Sequence, residues 1–191
     1  LHELLQALPA RCQLVVASRA RLPFELGAMI VGGSAADIPC EALRFDDEEA
    51  LRYLANAVSE DELATVQQLA EGWPVALRVC RDLALQGGPA PRPDHALADA
   101  LCTSARPRAY FDGGVLRPLP AQVREFVVRL SVLDEITADL AECLTESPGG
   151  AAILETLWQE NLFIAPVDGR PLWLRYHRLF GAHLRARYPQ S

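Results

Sequence analysis

The amino-acid sequence predicts a mainly α-helical protein that ends in a winged helix, and the last part of the chain carries the clearest signals. Three helices are expected between residues 120 and 160, where apolar residues recur at helical spacing. Two strand-like runs follow at 162–167 and 172–176, separated by Asp168-Gly169, a strong hairpin signal. A final helix is expected at 178–188. Three helices, a hairpin and a closing helix, in that order, are typical of a winged helix-turn-helix unit.

Capping signals predict further helices in the middle of the chain. Asp46 or Asp47 can cap a helix with an acidic first turn, which the helix dipole favours. Ser59-Glu-Asp-Glu62 is a capping box that opens a second helix, and Gly72 ends it. These helices carry apolar residues on one face, so we expect them to pack against neighbours.

A third helix of this group is predicted at 75–86, with Pro74 in its first turn, where a proline is well tolerated. Residues 87–93 are rich in proline and glycine and predict a connector. Two more helices are expected at 95–104 and 110–116.

The first 45 residues are predicted to be less regular. The run 12–17 is apolar and rich in valine, which favours a buried strand of the parallel-sheet type, although it would lack neighbouring strands within this chain. Residues 26–36 contain three glycines and predict a loop, and 42–45 is a candidate for one further short strand. Because the chain starts with Leu1 in what resembles the middle of a helix, we expect it to begin inside a longer protein.

Composition excludes several functions. All 18 basic residues are arginine, so this chain cannot by itself supply the lysine of a phosphate-binding P-loop or of a Schiff-base enzyme. The net charge of −7 argues against DNA binding by the chain alone, because DNA affinity comes from neutralised phosphates. The local exception is a basic cluster: Arg175, Arg178, Arg185 and Arg187.

The cysteines predict buried, reduced thiols and no metal site. They are five in number, widely spaced and without a C-x-x-C pair: Cys12, Cys40, Cys80, Cys102 and Cys143. The acidic run 46–49 could hold Mg²⁺, but a solvated helix N-terminus explains it better. We therefore expect no metal.

Three sequence landmarks occur in an order that resembles one known family. Leu14-Val-Val-Ala-Ser-Arg19 resembles the last core strand of a STAND-class nucleotide-binding domain, which ends in a sensor arginine. Glu71-Gly-Trp-Pro-Val-Ala-Leu77 resembles the G-x-P motif of the helical domain that follows, and Arg175-Tyr-His-Arg-Leu-Phe180 the histidine motif of the winged-helix domain. Together with Leu43-Arg-Phe, the sequence is most similar to the large ATP-binding LuxR-type transcriptional regulators of the MalT-like group.

This resemblance implies an architecture and a regulatory role. Residues 1–45 would be the C-terminal end of an α/β nucleotide-binding domain, 46–104 a helical domain and 105–191 a winged-helix domain. In that family ADP holds the molecule closed, whereas inducer and ATP open it for self-association and activation of transcription. The partners implied are an upstream P-loop portion, downstream sensor and DNA-binding domains, and further copies of the protein. A cytoplasmic bacterial regulator is expected, without membrane contact.

The resemblance also implies three nucleotide-binding residues, each with a simpler alternative. Arg19 would pair with a γ-phosphate, or else with a surface acid. Pro74 would lie against an adenine ring, or else serve only to start a helix. His177 would bind a β-phosphate beside a helix N-terminus, or else cap that helix. Trp73 is expected in the core or at an interface. ATP or ADP is the implied cofactor, bound weakly or not at all by this chain alone.

Two other functions compete with the nucleotide-dependent module. A stand-alone winged helix could bind DNA or another protein, with 151–160 as the reading helix, but one Gln and two Glu suit base recognition poorly. An enzyme would need converging catalytic groups, and no spacing of Cys, His and Asp predicts a triad. We therefore expect no catalytic residues in this chain, and any slow ATP hydrolysis would need motifs outside it.

Overall fold

The structure is a computed structural model that describes residues 9, 11–18, 26–55, 57–86, 96–146, 149–167 and 169–189. Over these residues the chain is mainly helical and contains one two-stranded antiparallel sheet. The predicted fold class is confirmed: helices come first, and a winged helix with its β-hairpin ends the chain.

The first group of elements forms the helical unit, which we define as residues 45–103. Its helices are α2 (Asp47–Leu54), α3 (Glu60–Ala70), α4 (Pro74–Gln86) and α5 (Ala96–Thr103). A short helix α1 (Gly27–Val31) and a 3₁₀ turn (Cys40–Leu43) precede them.

The second group forms the winged helix. A short helix α6 (Ala105–Ala109) continues directly as a π-helix (Tyr110–Leu116). The remaining elements are α7 (Ala121–Arg129), a 3₁₀ turn (Leu130–Val132), α8 (Ala138–Thr145), α9 (Gly150–Gln159), β1 (Ile164–Val167), β2 (Arg170–Tyr176) and α10 (Arg178–Arg187).

Local capping chemistry explains where the middle helices begin. Asp46 caps α2: its carboxylate accepts the Glu49 N–H at 2.7 Å, and Glu49 returns a bond to the Asp46 N–H at 3.1 Å. Ser59 and Glu62 form the same capping box at α3, and α4 begins at Pro74. These three helix starts were predicted from the sequence and are confirmed.

Three predictions for the N-terminal region are wrong. Residues 12–18 form neither helix nor strand, and Val15 is 81% exposed, because a buried parallel strand needs neighbours that the described residues do not supply. The expected loop at 26–36 contains α1, and the expected strand at 42–45 overlaps the 3₁₀ turn. Burial was also overestimated for Cys12, Cys40 and Cys143, which are exposed.

The sheet of the winged helix is small and irregular. Strands β1 and β2 pair antiparallel from Ile164 opposite Tyr176 to Val167 opposite Arg170, with a bulge after Pro166. Ile136 forms a further antiparallel bridge with Leu174, through two backbone hydrogen bonds of 2.7 and 2.8 Å. The hairpin predicted around Asp168-Gly169 is confirmed by the pairing, although Asp168 itself lies outside the described residues.

One hydrophobic core runs through both units. Leu97 and Leu101 of α5 belong to the same buried cluster as Phe111 of the π-helix and Phe180 and Leu184 of α10. Only Ser104 separates α5 from α6. The predicted boundary near residue 104 therefore stays a prediction of domain organisation, and the two units pack as one body.

The turn between α3 and α4 requires glycine at position 72. Gly72 has a positive φ of 72°, and a Cβ there would lie 2.5 Å from the carbonyl oxygen of Phe45. This close approach allows the Phe45 N–H to donate to the Gly72 carbonyl at 2.9 Å. The backbone before α2 is thereby held against the turn.

We expect Gly72→Ala to lower the free energy of unfolding by about 3 kcal/mol, because it adds a backbone clash to a left-handed conformation. Gly169→Ala is the matched control, since Gly169 has the same φ of 72° with open space around it. Its loss should be only about 1 kcal/mol. Urea unfolding of the purified variants measures both values, and equal losses would contradict the role given to the Phe45 contact.

Candidate functional site

The site is built around the junction turn, which we define as Glu71, Gly72 and Trp73, the residues between α3 and α4. Glu71 and Gly72 both have left-handed backbone conformations, with φ of 47° and 72°. Glu71 still donates its N–H to the Gln67 carbonyl at 2.8 Å, as a C-terminal helix cap does. The turn thus reverses the chain sharply and points its side chains at the winged helix.

His177 connects this turn to the winged helix with both ring nitrogens. It caps α10: its Nδ1 accepts the Leu179 N–H at 3.3 Å. Its Nε2 lies 3.1 Å from the carbonyl oxygen of Ala70, the last residue of α3. Since Nδ1 acts as acceptor, the contacts assign the proton to Nε2, which donates to Ala70.

The imidazole of His177 is neutral at pH 7. Burial lowers its pKa from 6.5 to about 4, since only 7% of the residue is exposed. The Glu71 carboxylate and the bond to Ala70 act in the opposite direction, whereas the positive charges of Arg44 and Arg175 lower the pKa further. The neutral ring can donate and accept at the same time, as its two contacts require.

The Glu71 carboxylate is the second link between the two units. It pairs with Arg175 Nη1 at 2.6 Å and accepts the backbone N–H of Arg178, the first residue of α10, at 3.1 Å. It also lies 3.7 Å from Arg178 Nε and 3.6 Å from His177 Nε2. Its side chain is 11% exposed. A carboxylate at this helix N-terminus is favoured by the helix dipole and by the two guanidinium groups.

Trp73 completes the junction through aromatic contacts. Its ring centroid lies 5.3 Å from Tyr110, 5.6 Å from Phe111, 5.2 Å from Phe163 and 6.0 Å from His177. These tilted and edge-on arrangements are the favourable ones for aromatic side chains. The prediction that Trp73 belongs to the core or an interface is confirmed.

The structure brings together two of the three predicted site residues. His177 and Pro74 both lie at the junction, with Pro74 exposed at the start of α4, next to Trp73. Arg19 lies outside the described residues. Sequence reasoning missed the role of Glu71, although a glutamate at the C-terminal end of a helix, where the dipole disfavours a negative charge, is a usable signal for a tertiary partner.

The other described histidine has a structural partner. His183 Nε2 lies 3.0 Å from Asp112 Oδ1 in the π-helix, and burial lowers the pKa of this histidine, although its hydrogen bond to Asp112 acts in the opposite direction. Within the described ranges there is no group of three or more His, Cys, Asp or Glu that could hold a metal ion. No described helix is long and apolar enough to cross a membrane.

A helical unit tied to a winged helix through a buried histidine defines a winged-helix protein whose two units share one core. Residues 112–191 match the family model of the MalT winged helix domain. The resemblance drawn from the three sequence landmarks is thereby confirmed.

Curated relatives extend the similarity to nearly the whole chain. The transcriptional regulator MalT of Vibrio parahaemolyticus is 31% identical over 200 residues, covering 98% of this chain and 22% of MalT. MalT of Vibrio cholerae is 33% identical over the same shares. The serine/threonine-protein kinase PknK of Mycobacterium tuberculosis is 30% identical over 92% of this chain and 16% of the kinase. The chain thus spans about a fifth of the length of these regulators.

The lowered pKa of His177 predicts acid destabilisation. Between pH 6.5 and 4 the unfolded chain binds a proton that the folded protein excludes, so the free energy of unfolding should fall by roughly 3 kcal/mol as the pH decreases through this range. Urea unfolding at several pH values measures this loss. His177→Gln should remove it, because a glutamine amide does not titrate.

His183→Gln is the matched control for this measurement. The pKa of His183 is also lowered, so its variant should keep the part of the acid destabilisation that belongs to His177. All three proteins contain the same carboxylates, so differences between their pH profiles report the replaced histidines. An unchanged pH dependence in His177→Gln would contradict the assignment of a neutral, buried imidazole.

Proposed function

We propose that this chain is the nucleotide-responsive regulatory module of a bacterial ATP-dependent transcriptional activator, and that it holds ADP or ATP between its helical unit and its winged helix. The observation that carries the proposal is the position of His177. One ring nitrogen caps the last helix of the winged helix, and the other binds the last carbonyl of α3. A ligand that contacts this histidine therefore acts on both units at once.

The groups around His177 suit a phosphate. The first N–H groups of α10, an imidazole N–H and the guanidinium groups of Arg175 and Arg178 lie around one point, which the Glu71 carboxylate fills. Helix N-termini and arginine forks are the usual ligands of phosphate oxygens in proteins. We assign the β-phosphate of ADP to His177 and this helix start.

The two other predicted nucleotide contacts belong to the same proposal. Pro74 offers a rigid, exposed and apolar ring next to the junction turn, which suits an adenine face. Arg19 would contact the γ-phosphate of ATP and so distinguish ATP from ADP. Both roles come from the resemblance to the family, and the exposure of Pro74 is compatible with the first.

Nucleotide binding would act by shifting populations. Both nitrogens of His177 are already occupied, so a phosphate gains this ligand only if the bond to Ala70 is given up. A nucleotide that binds the rearranged junction more tightly than the present one shifts the equilibrium by the difference in affinity. This shift of the junction equilibrium would change how the sensor and DNA-binding parts of the natural protein are arranged, and how strongly the protein self-associates.

The relatives support a regulatory role over an enzymatic one. The same segment is shared by proteins named as transcriptional regulators and by one named as a kinase, of which it covers only 16%. A segment common to such different proteins fits a control element better than a catalytic one. Since the chain contains no lysine, any ATP hydrolysis would rely on a phosphate loop elsewhere.

Direct reading of DNA by α9 is disfavoured by its exposed face. The exposed residues of α9 and the glutamate that follows it are alanines, glutamates and a tryptophan, together with one threonine and one glutamine: Ala151, Ala152, Glu155, Thr156, Trp158, Gln159 and Glu160. Base recognition relies on Arg, Lys, Asn and Gln, and two glutamates repel the phosphate backbone.

The test is an ADP titration by calorimetry on the complete natural protein that contains this sequence. His177→Ala should weaken ADP binding by about 10- to 100-fold, the usual effect of losing one hydrogen bond to a charged group. His183→Gln serves as control, because it changes a buried histidine of the same helix that pairs with Asp112 instead.

The control separates a lost contact from general destabilisation. His183→Gln should bind ADP within about twofold of the wild type, since the partner of His183 is Asp112 in the π-helix and neither Ala70 nor Glu71. ADP binding that does not depend on His177 would refute the phosphate role. In that case a protein-interaction module would be the better account of the winged helix.

A further inference from the structure

We propose that Glu71 is a built-in anion that occupies the phosphate position at the start of α10 and competes with nucleotide for it. This inference rests on the proposed function, since it concerns regulation of the same site. It goes further by assigning an inhibitory role to a residue of the helical unit. The nucleotide would have to expel the carboxylate before its phosphate could reach His177.

The contacts of Glu71 are those expected of a bound phosphate. One carboxylate oxygen accepts the backbone N–H at the start of the ten-residue helix α10, at 3.1 Å. The other pairs with Arg175 at 2.6 Å and lies 3.7 Å from Arg178 Nε. The imidazole Nε2 of His177 lies 3.6 Å away. Three donor groups of Arg175 and Arg178 thus converge on one carboxylate from the helical unit, with the ring of His177 beside it.

Local structure does not explain the placement of this glutamate. Glu71 sits at the C-terminal end of α3, where the helix dipole disfavours a negative charge, and in a left-handed conformation that glutamate rarely adopts. Both features oppose a glutamate here on local grounds. The contacts that favour it all come from the winged helix, 104 to 107 residues further along the chain.

The charge around the junction favours a second anion. Arg175 and Arg178 contact Glu71, and Arg44 lies beside the junction turn, its Cβ 3.0 Å from the position of a Cβ on Gly72. Two guanidinium groups therefore contact this single carboxylate, and the positive charge of Arg44 acts on the neighbouring His177. A phosphate would be attracted to this region but could not share the position with Glu71, because like charges repel strongly where water is excluded.

Exchange of the two anions would couple nucleotide binding to the contact between the units. With Glu71 in place, the junction turn is held by the start of α10. With a phosphate in place, Glu71 is released, and the turn keeps only its aromatic and backbone contacts. Each anion therefore weakens the other's binding, which is a coupling between two mutually exclusive ligands of one site.

The experiment is an ADP titration by calorimetry on the complete natural protein with Glu71→Gln. The neutral amide keeps the shape of the side chain but competes poorly for the arginines and the helix N-terminus. We expect ADP to bind about tenfold more tightly to this variant, within the usual range of such couplings. Glu135→Gln is the matched control, because Glu135 also pairs with an arginine, Arg170 at 2.8 Å, on the wing. Its ADP affinity should equal that of the wild type.

A second variant and a second readout guard against misfolding. Glu71→Asn also removes the charge, and asparagine adopts the left-handed conformation more readily than glutamate, so the turn should fold. It should likewise bind ADP about tenfold more tightly. Without nucleotide, both variants should unfold at lower temperature than the wild type, and saturating ADP should remove most of that difference.

The outcomes separate this inference from the proposed function. If His177→Ala weakens ADP binding while both Glu71 variants bind ADP as the wild type does, or more weakly, Glu71 does not compete and the inference is overturned alone. If ADP binding is absent, or is indifferent to His177, both proposals fall. Tighter binding in both Glu71 variants, with Glu135→Gln unchanged, supports the competition.

Discussion

The attachment of the junction turn to the winged helix is the constraint on which the structure depends. The turn reverses the chain through two left-handed residues. Because Gly72 has no Cβ, the backbone at Phe45 packs directly against the turn. Its far side is held by His177 and by the pairing of Glu71 with Arg175. Helices α3 and α4 and the start of α10 are therefore positioned relative to one another by a few residues.

The neutral state of His177 makes this attachment possible. A protonated imidazole has two donors and could not accept the N–H of Leu179, so α10 would lose its cap. Burial disfavours the charged form, and the nearby Arg44 and Arg175 disfavour it further. The Glu71 carboxylate opposes both but is itself shared with two arginines. His177 is thus a neutral side chain among charged ones, and its Nε2–H group donates to the helical unit.

Local signals in the sequence predicted most of the elements but little of the site. The capping boxes at Asp46 and Ser59, and the hairpin before α10, depend on residues close in the chain, and the structure contains them. The expected strand at 12–17 needed partners that the described residues lack. The link between Glu71 and Arg178 joins residues 107 apart, and no periodicity or capping rule reports such a pairing. The π-helix that positions Phe111 was expected only as an ordinary helix.

The shared core sets a limit on what a nucleotide can do alone. Separating the units would expose the buried side chains of Leu97, Leu101, Phe111, Phe180 and Leu184, at about 2 kcal/mol each, or about 10 kcal/mol together. A single ligand usually supplies a coupling of only about 1–3 kcal/mol. The free energy needed to exchange Glu71 for a phosphate at the junction turn lies within that range, but the free energy needed to separate the two units does not. A larger opening would therefore require binding energy from more than one ligand or contact.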